Sequence, residues 1–301
     1  MATSSPSPTS ELEPDKLEPE VALSIVIPTR DRPDRLAETL GAIETEITGS
    51  VVEVVVVDDG SAPGSLDSLR QRPWDFPICW LEQEGRGPAT ARNRGVAAAR
   101  GARVLFLGDD TRPAPGCLDR HRGATEGVQG HIDWDPEQPI SPVMEFLAPA
   151  GPQFYFAGLS PREPVPYTAV LGSNASFPRS WLIDEPYDEG FPAAALEDTE
   201  HAHRLAARGW RTFYEPRALC WHHHPYPELG PFLARQRRAG HAARYALRRR
   251  PALAWRVVFQ PMLFTPFVVA RWLLARSPEI RRGHGWDLRC RSAFFRGLAE
   301  I

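Results

Sequence analysis

From Val21 the chain reads VALSIVIPT, a β-branched run that stops at Pro28 and predicts a buried strand. DRPDRLAETLGAIET follows, with Leu36, Leu40 and Ile43 at helical spacing, Pro33 near the start and Asp31 or Asp34 as the expected cap. VVEVVVVDD is a second buried strand, so strand, helix and strand form a βαβ unit with a right-handed crossover and a parallel sheet. The alternation continues: PICWLEQ is a short strand, GPATARNRGVAAARG a helix ending at Gly101, and ARVLFLGDD a buried strand closed by two acids. Ligands of open α/β sheets sit beyond the carboxyl ends of the strands. Those ends read Thr29-Arg30, Asp58-Asp59 and Asp109-Asp110, three polar clusters on one rim.

The alternation then fades. Residues 127–170 are rich in Pro and aromatics and are expected to form loops and short strands over that rim. Helicity returns at EDTEHAHRLAARG, with Leu205 and Ala206 facing inward and Gly209 as the stop, and WRTFYEP and ALCWHHHP follow as strand and strand end. The C-terminal quarter reads as helical around RQRRAGHAARYALRRR and Ala270 to Ala275. Between them the apolar run from Val257 to Ala270 is interrupted at Pro261 and Pro266. About 14 residues are too few to cross a hydrocarbon layer of about 30 Å, so the run is expected to form an interfacial helix pair or to pack into the core.

Charge changes this picture more than composition does. At 301 residues, 42% hydrophobic and 24% charged, the chain is an ordinary globular one, which excludes fibres and wholesale disorder. The net charge of -3 hides an uneven distribution. Residues 1–20 carry five acids against one Lys, whereas residues 228–301 carry 15 Arg against four acids, leaving an acidic body between. The Ser/Pro/Glu-rich tail 1–20 is expected to be disordered and shows no apolar core of a secretory signal, so a cytoplasmic location is expected. Cys79, Cys117, Cys220 and Cys290 are far apart without a C-x-x-C pair, which excludes zinc knuckles and redox motifs and predicts buried free thiols. The arginine-rich end accompanies no helix-turn-helix, RNA-recognition or finger pattern, so nucleic acid is not an expected partner.

Four clusters carry candidate chemistry, each beside a plainer reading. Asp109-Asp110 at a strand tip suits a divalent metal with a diphosphate, or a turn opening RPAPGCL. Asp58-Asp59-Gly60-Ser61 suits a base imide or ribose hydroxyls, or a simple Asp-Gly turn. Glu197-Asp198 suits a general base, or the acids that a helix dipole favours in its first turn. His222 and His224 alternate along a strand and share a face, which suits a metal or a solvated loop.

Taken in order, SIVIPTRDRPDRLAETL, VVVVDDGS, GPATARNRGVAAARG, VLFLGDDTRPAPG, GSNASFPRS, LEDTEHAHRLAARGWR and YEPRALCWHHH resemble the family-2 glycosyltransferases over about residues 23–240. The resemblance implies an α/β fold of GT-A type, a Rossmann-like mostly parallel sheet flanked by helices, with a helical C-terminal extension. It divides the chain into the tail 1–20, a GT-A domain 21–227 (nucleotide half 21–125, acceptor and catalytic half 126–227) and a basic helical region 228–301.

Position by position, it implies that Pro28, Thr29, Arg30 and Arg32 line the donor and that Asp58 or Asp59 contacts uracil or ribose. Arg92 then approaches the donor, Asp109 meets ribose or donor sugar, and Asp110 with His222 or His224 holds Mn2+ or Mg2+. Asp198, with Glu197 second, is the expected base of an inverting transfer from a UDP-sugar to an unidentified acceptor hydroxyl. Asp133, Trp134 and Asn174 fall on the expected acceptor side. Gly108 stands where many members carry the first acid of Asp-x-Asp, and RQRRAG replaces the Gln-x-x-Arg-Trp of processive synthases, which implies transfer of one sugar. A nucleotidyltransferase or a noncatalytic nucleotide-sugar-binding module is the alternative on the same plan. The basic region is a candidate for peripheral contact with the inner face of the plasma membrane.

Overall fold

The computed structural model of the protein describes residues 21–47 and 52–300, so the acidic tail lies outside the described residues. The first half builds β1 (Leu23–Thr29), α1 (Pro33–Glu46), β2 (Val52–Asp58), α2 (Asp67–Gln71), β3 (Ile78–Glu82), α3 (Pro88–Ala98), β4 (Arg103–Leu107), β5 (Thr111–Pro113) and α4 (Cys117–Arg122). The second half adds β6 (Gly127–Trp134), α5 (Pro142–Leu147), β7 (Asn174–Pro178), α6 (Arg179–Asp184), α7 (Glu197–Ala207), β8 (Thr212–His222), α8 (Gly230–Arg249), α9 (Gln260–Leu274) and α10 (Pro278–Ala299).

One sheet runs in the order β3-β2-β1-β4-β7-β6-β8-β5. It is parallel from β3 through β4 and turns antiparallel at β7. β1 and β2 are apolar along most of their length because both faces are covered, and the polar pair at their start is satisfied internally, Ser24 Oγ donating to Glu53 Oε1 at 2.6 Å. Ile25, Ile27, Val54 and Val56 pack with Leu36, Leu40 and Ile43 of α1, while Val26, Val55 and Val57 pack with Ala91 and Val96 of α3 and Leu205 of α7. The expected GT-A plan, with its helical C-terminal extension, is the observed one.

Several local expectations are corrected. The α1 N-cap position is Arg32, with no side-chain cap, and Asp34 lies in the first turn. The α3 helix ends at Ala98 rather than at Gly101. Residues 127–134, expected within a segment of loops and short strands over the rim, form the eight-residue interior strand β6, and the expected strand and strand end on either side of Pro216 are one strand, β8, which shifts register opposite Gly130/His131. Cys117, Cys220 and Cys290 are buried free thiols, but Cys79 is exposed. The prolines do not interrupt the apolar run. Pro261, at the start of α9, and Pro266, inside it, are both carried within a chain that is helical from Pro251 to Leu274. That stretch of 24 residues is long and apolar enough to cross a membrane: an 18-residue window within it has mean hydropathy 1.5, and only 6% of that window is buried.

Candidate functional site

The rim forms where β1, β2 and β4 end and where the antiparallel β7 begins. Because β7 runs against β4 with Leu107 opposite Asn174, the residues just before β7 lie beside those just after β4. Gly108 N donates to Ser173 O at 3.4 Å, and one residue earlier Gly172 N donates to Asp198 Oδ2 at 2.9 Å. The dipeptide Gly172-Ser173 therefore joins the strand-tip acids to the start of α7. Neither glycine admits a side chain. A Cβ on Gly108 would lie 3.0 Å from Asp110 Oδ1 and 2.7 Å from Thr111 Oγ1, and one on Gly172 would lie 2.6 Å from Asp198 Oδ1. This gives the departure at Gly108 a physical reason: an acid there would crowd the carboxylate it accompanies.

Asp109 and Asp110 are both buried. Thr29 Oγ1 donates to Asp109 Oδ2 at 2.9 Å, and Thr39 Oγ1 donates to the Asp109 carbonyl at 3.0 Å. Arg32, from the entry to α1, donates to Asp109 Oδ1 at 3.1 Å and to Asp110 Oδ2 at 2.8 Å. Burial, with Asp110 beside it, pushes the Asp109 carboxyl up to about 6. Burial acts on Asp110 in the same direction, but His222, His224 and Arg32 outweigh it and hold that carboxyl well below its ordinary range.

The histidines arrive through the sheet edge, where β5 pairs with β8 and sets Thr111 opposite His222. His222 Nδ1 lies 3.4 Å from Asp110 Oδ1 and His224 Nδ1 lies 3.6 Å from Asp110 Oδ2. The two rings stack at 5.7 Å, with planes 6° apart, so both face the acid. One ligand atom from each of Asp110, His222 and His224 falls within 4.8 Å of the others. His222 Nδ1 is buried without a hydrogen-bond partner, which is the condition of a ligand atom aimed at an ion. The donor set, one carboxylate and two imidazoles, fits Mn2+ better than the oxygen-preferring Mg2+. Trp134 packs 5.5 Å from His222 and donates its indole N–H to Met144 O, so it is a buried support for that ring rather than an acceptor contact.

At α7, Leu196 adopts φ +64°, a strained value for a branched residue, and turns the chain so that Glu197 and Asp198 follow on its first turn. Buried Arg92 of α3 donates to Glu197 Oε1 at 2.9 Å and lies 3.2 Å from Asp198 Oδ1. Its guanidinium sits over the Tyr187 ring at 5.2 Å, and Tyr187 stacks on buried His201 at 4.0 Å. Burial and the neighbouring Asp198 push the Glu197 carboxyl up against the pull of Arg92. Asp198 is the more open of the two, at 20% side-chain exposure against 6% for Glu197, although its Oδ1 is buried beside Arg92 and accepts no hydrogen bond.

The other expected residues divide. Asp59 is committed to its own loop, accepting from Gln83 Nε2 and from the amides of Arg86 and Gly87. Asp58 accepts from Ser61 N and lies 3.4 Å from Arg70 Nη2. Arg30 is exposed at the β1 end, whose loop is clasped to the β2 loop through Asp31 and Ser61. Asp133 is half-buried and accepts from Trp134 N. Asn174 is a correction: it is fully buried, donates to His131 O and Ala218 O, and meets His121 Nε2, so nothing remains for an acceptor. Thr39, Gly172 and Tyr187 escaped sequence reasoning. Thr39 meets Asp109 and Tyr187 meets Arg92 from far along the chain, and Gly172 acts through its backbone amide, so no local pattern marks them.

Comparison with known proteins agrees with this geometry. Residues 24–125 match the model of glycosyl transferase family 2, and residues 104–279 match that of glycosyl transferase family group 2. A pre-mycofactocin glycosyltransferase of Mycobacterium tuberculosis is 28% identical over 267 residues, covering 84% of this chain and 52% of its own. The chain thus spans about half the length, or less, of the curated relatives it matches most. Among solved structures, the mannosyltransferase of Pyrobaculum calidifontis, in complex with GDP-Man and Mn2+, superimposes with a TM-score of 0.64 at 17% identity, over 92% of this chain and 87% of that one. GalNAc-T7 with UDP, GalNAc and Mn2+ gives a TM-score of 0.52 at 15% identity, over 75% and 48%.

Proposed function

The chain belongs to glycosyltransferase family 2, and from that membership we propose that it moves one sugar from a UDP-sugar to an acceptor hydroxyl, with inversion, using Mn2+ or Mg2+. The observation that carries this reading is the Gly172-Ser173 dipeptide, which bonds Asp198 on one side and, on the other, Gly108, the residue that precedes Asp109-Asp110. Asp110, His222 and His224 would hold the cation. When bound, it supplies a Lewis acid to the diphosphate leaving group. Both Mn2+-containing structural neighbours pair that ion with a nucleotide or nucleotide-sugar, which supports a metal-dependent donor site here.

The chain's own groups do the rest. Arg32 brings a permanent positive charge to the strand tips. Asp58, less committed than Asp59, is the better partner for ribose or base, alongside Pro28, Thr29 and Arg30. Asp198 takes the acceptor proton, while Gly172 and Arg92 hold the carboxylate in place. Glu197 is occupied by Arg92 and serves to position it.

Donor hydrolysis across UDP-, GDP- and dTDP-sugars, with and without chelator, tests the proposal. UDP-sugar turnover that stops on chelation and in Asp110→Asn is the expected result. Preference for a nucleoside triphosphate with release of pyrophosphate would make the protein a nucleotidyltransferase, and nucleotide binding without turnover would make it a binding module. Near-normal transfer by Asp198→Asn would remove the base assignment.

A further inference from the structure

The C-terminal helices contain a surface that the transfer reaction does not use. Of the 14 large apolar side chains exposed among the described residues, 11 lie between Trp255 and Ile280. Soluble monomers scatter such residues; a contiguous set marks an interaction surface. Leu263, Phe264, Phe267, Leu273 and Leu274 are all more than half exposed along α9, with Trp255 and Trp272 near its two ends.

The same segment is strongly basic, with ten Arg and two acids between Arg248 and Arg291. At the elbow where α9 turns into α10, a cleft of about 630 Å3 is lined by Trp272, Arg276, Arg281, Arg282, Trp286 and Arg289. Arg276, Arg282 and Arg289 meet no carboxylate among the described residues. An apolar strip with unpaired guanidinium groups and indoles at its border has the chemistry of a bilayer interface, apolar toward the acyl chains and cationic toward phosphates.

Two other occupants fit less well. A second copy of the chain would bury the apolar strip but set the same arginines against each other. A membrane-crossing helix is opposed by α10, which turns back along α9: Arg281 donates to Trp272 O and Leu273 O at 3.4 Å, and Arg291 donates to Pro261 O at 2.7 Å. Crossing would take Arg282, Asp287 and Arg289 into hydrocarbon with it. Nor is α10 free to leave. A Cβ on Gly240 of α8 would lie 2.1 Å from Phe294 O, and one on Gly297 of α10 would lie 1.9 Å from Arg237 O, so the two helices meet backbone to backbone.

We propose that the α9–α10 hairpin lies in the plane of an anionic phospholipid bilayer, with the α9 strip sunk among acyl chains and Arg276, Arg282 and Arg289 on lipid phosphates. The association stands apart from the transfer reaction and is tested without it. The full chain is floated with vesicles of phosphatidylcholine alone or with added phosphatidylglycerol. Most of the protein is expected to rise with the phosphatidylglycerol vesicles and at least about tenfold less with the neutral ones. Raising salt from about 0.1 M to about 1 M, which shortens the Debye length from about 10 Å to about 3 Å, is expected to weaken flotation. The triple variant Leu263→Asp, Phe264→Asp, Phe267→Asp and, separately, Arg276→Glu with Arg282→Glu each lose flotation while keeping the wild-type circular dichroism and melting temperature.

Wild-type protein that stays with the lipid-free fractions overturns the proposal. So does a dimer by light scattering that the triple variant splits without any flotation, or a vesicle-bound form that resists alkaline carbonate, the mark of a crossing helix.

Discussion

The strand-end rim and the α9 face are opposite solutions to exposing awkward groups. On the rim, charges are buried and each has company: Arg32 bridges Asp109 and Asp110, Arg92 bridges Glu197 and Asp198, and backbone amides take up oxygens that remain. On α9, apolar side chains are left in the open and arginines stand without acids. Burying charge costs several kcal/mol per ion unless it is paired, so the rim is held together by internal bonds that a ligand exchanges for its own. Exposing apolar area costs nothing to the fold but leaves a surface that something else must cover. The first region carries its partners within the chain; the second lacks them.

Breaking the rim is expected to have the largest effects. Asp198→Asn removes the proton acceptor and is expected to lower transfer by about 10²–10⁴-fold with the fold intact, read from turnover beside nucleotide-induced thermal shift. Arg92→Met leaves buried Glu197 and half-buried Asp198 without their cation. A loss of about 3–5 kcal/mol in denaturant unfolding is expected, and a loss below about 1 kcal/mol would show that the pair is not the brace described. Gly172→Ala forces a methyl group to within 2.6 Å of Asp198 Oδ1, and a combined cost of about 1–3 kcal/mol is expected, with activity falling more than in a distant Gly→Ala control.

The floor under the rim gives a pH signature. Burial, reinforced by Arg204, lowers the His201 imidazole to about 3. An unfolded histidine titrates near about 6.5, so below that pH the unfolded chain binds a proton that the folded chain refuses. Stability is therefore expected to fall as pH drops from about 6.5 toward about 3, by up to about 1.4 kcal/mol per pH unit from this group. His201→Gln should flatten that slope, and parallel wild-type and variant curves would count against a buried neutral His201. The smallest effect belongs to α9. Each of Leu263→Asp, Phe264→Asp and Phe267→Asp is expected to change stability by less than about 0.5 kcal/mol, which sharpens the contrast with Arg92.

How much of this was legible depended on where the determining contacts lie. The runs that became β1, β2 and β4 and the helical spacing of α1 and α7 are local, and their two covered faces appear directly as unbroken or periodic apolar residues. Asp110, His222 and His224 could be gathered from motif order, and they do converge on one point. β6 was only partly legible because its interior neighbours are polar: Gln129 bonds Asn174 O and Leu171 N, so one long buried strand carries residues that read as loops and short strands. Trp134 and Asn174 looked like acceptor contacts by type and proved to be buried scaffolding. α9 was hidden by two prolines, which it carries on a helix that α10 supports, Arg291 donating to Pro261 O.

A single peptide unit that serves both the acid end of β4 and the base end of α7 also constrains what the protein can become. Gly172 and Ser173 leave no slack between the two, so a drift that re-aims the acceptor base shifts the donor side in the same stroke. New acceptors are then more readily won beyond this joint, at residues 157–164, where the chain is looped and mostly exposed.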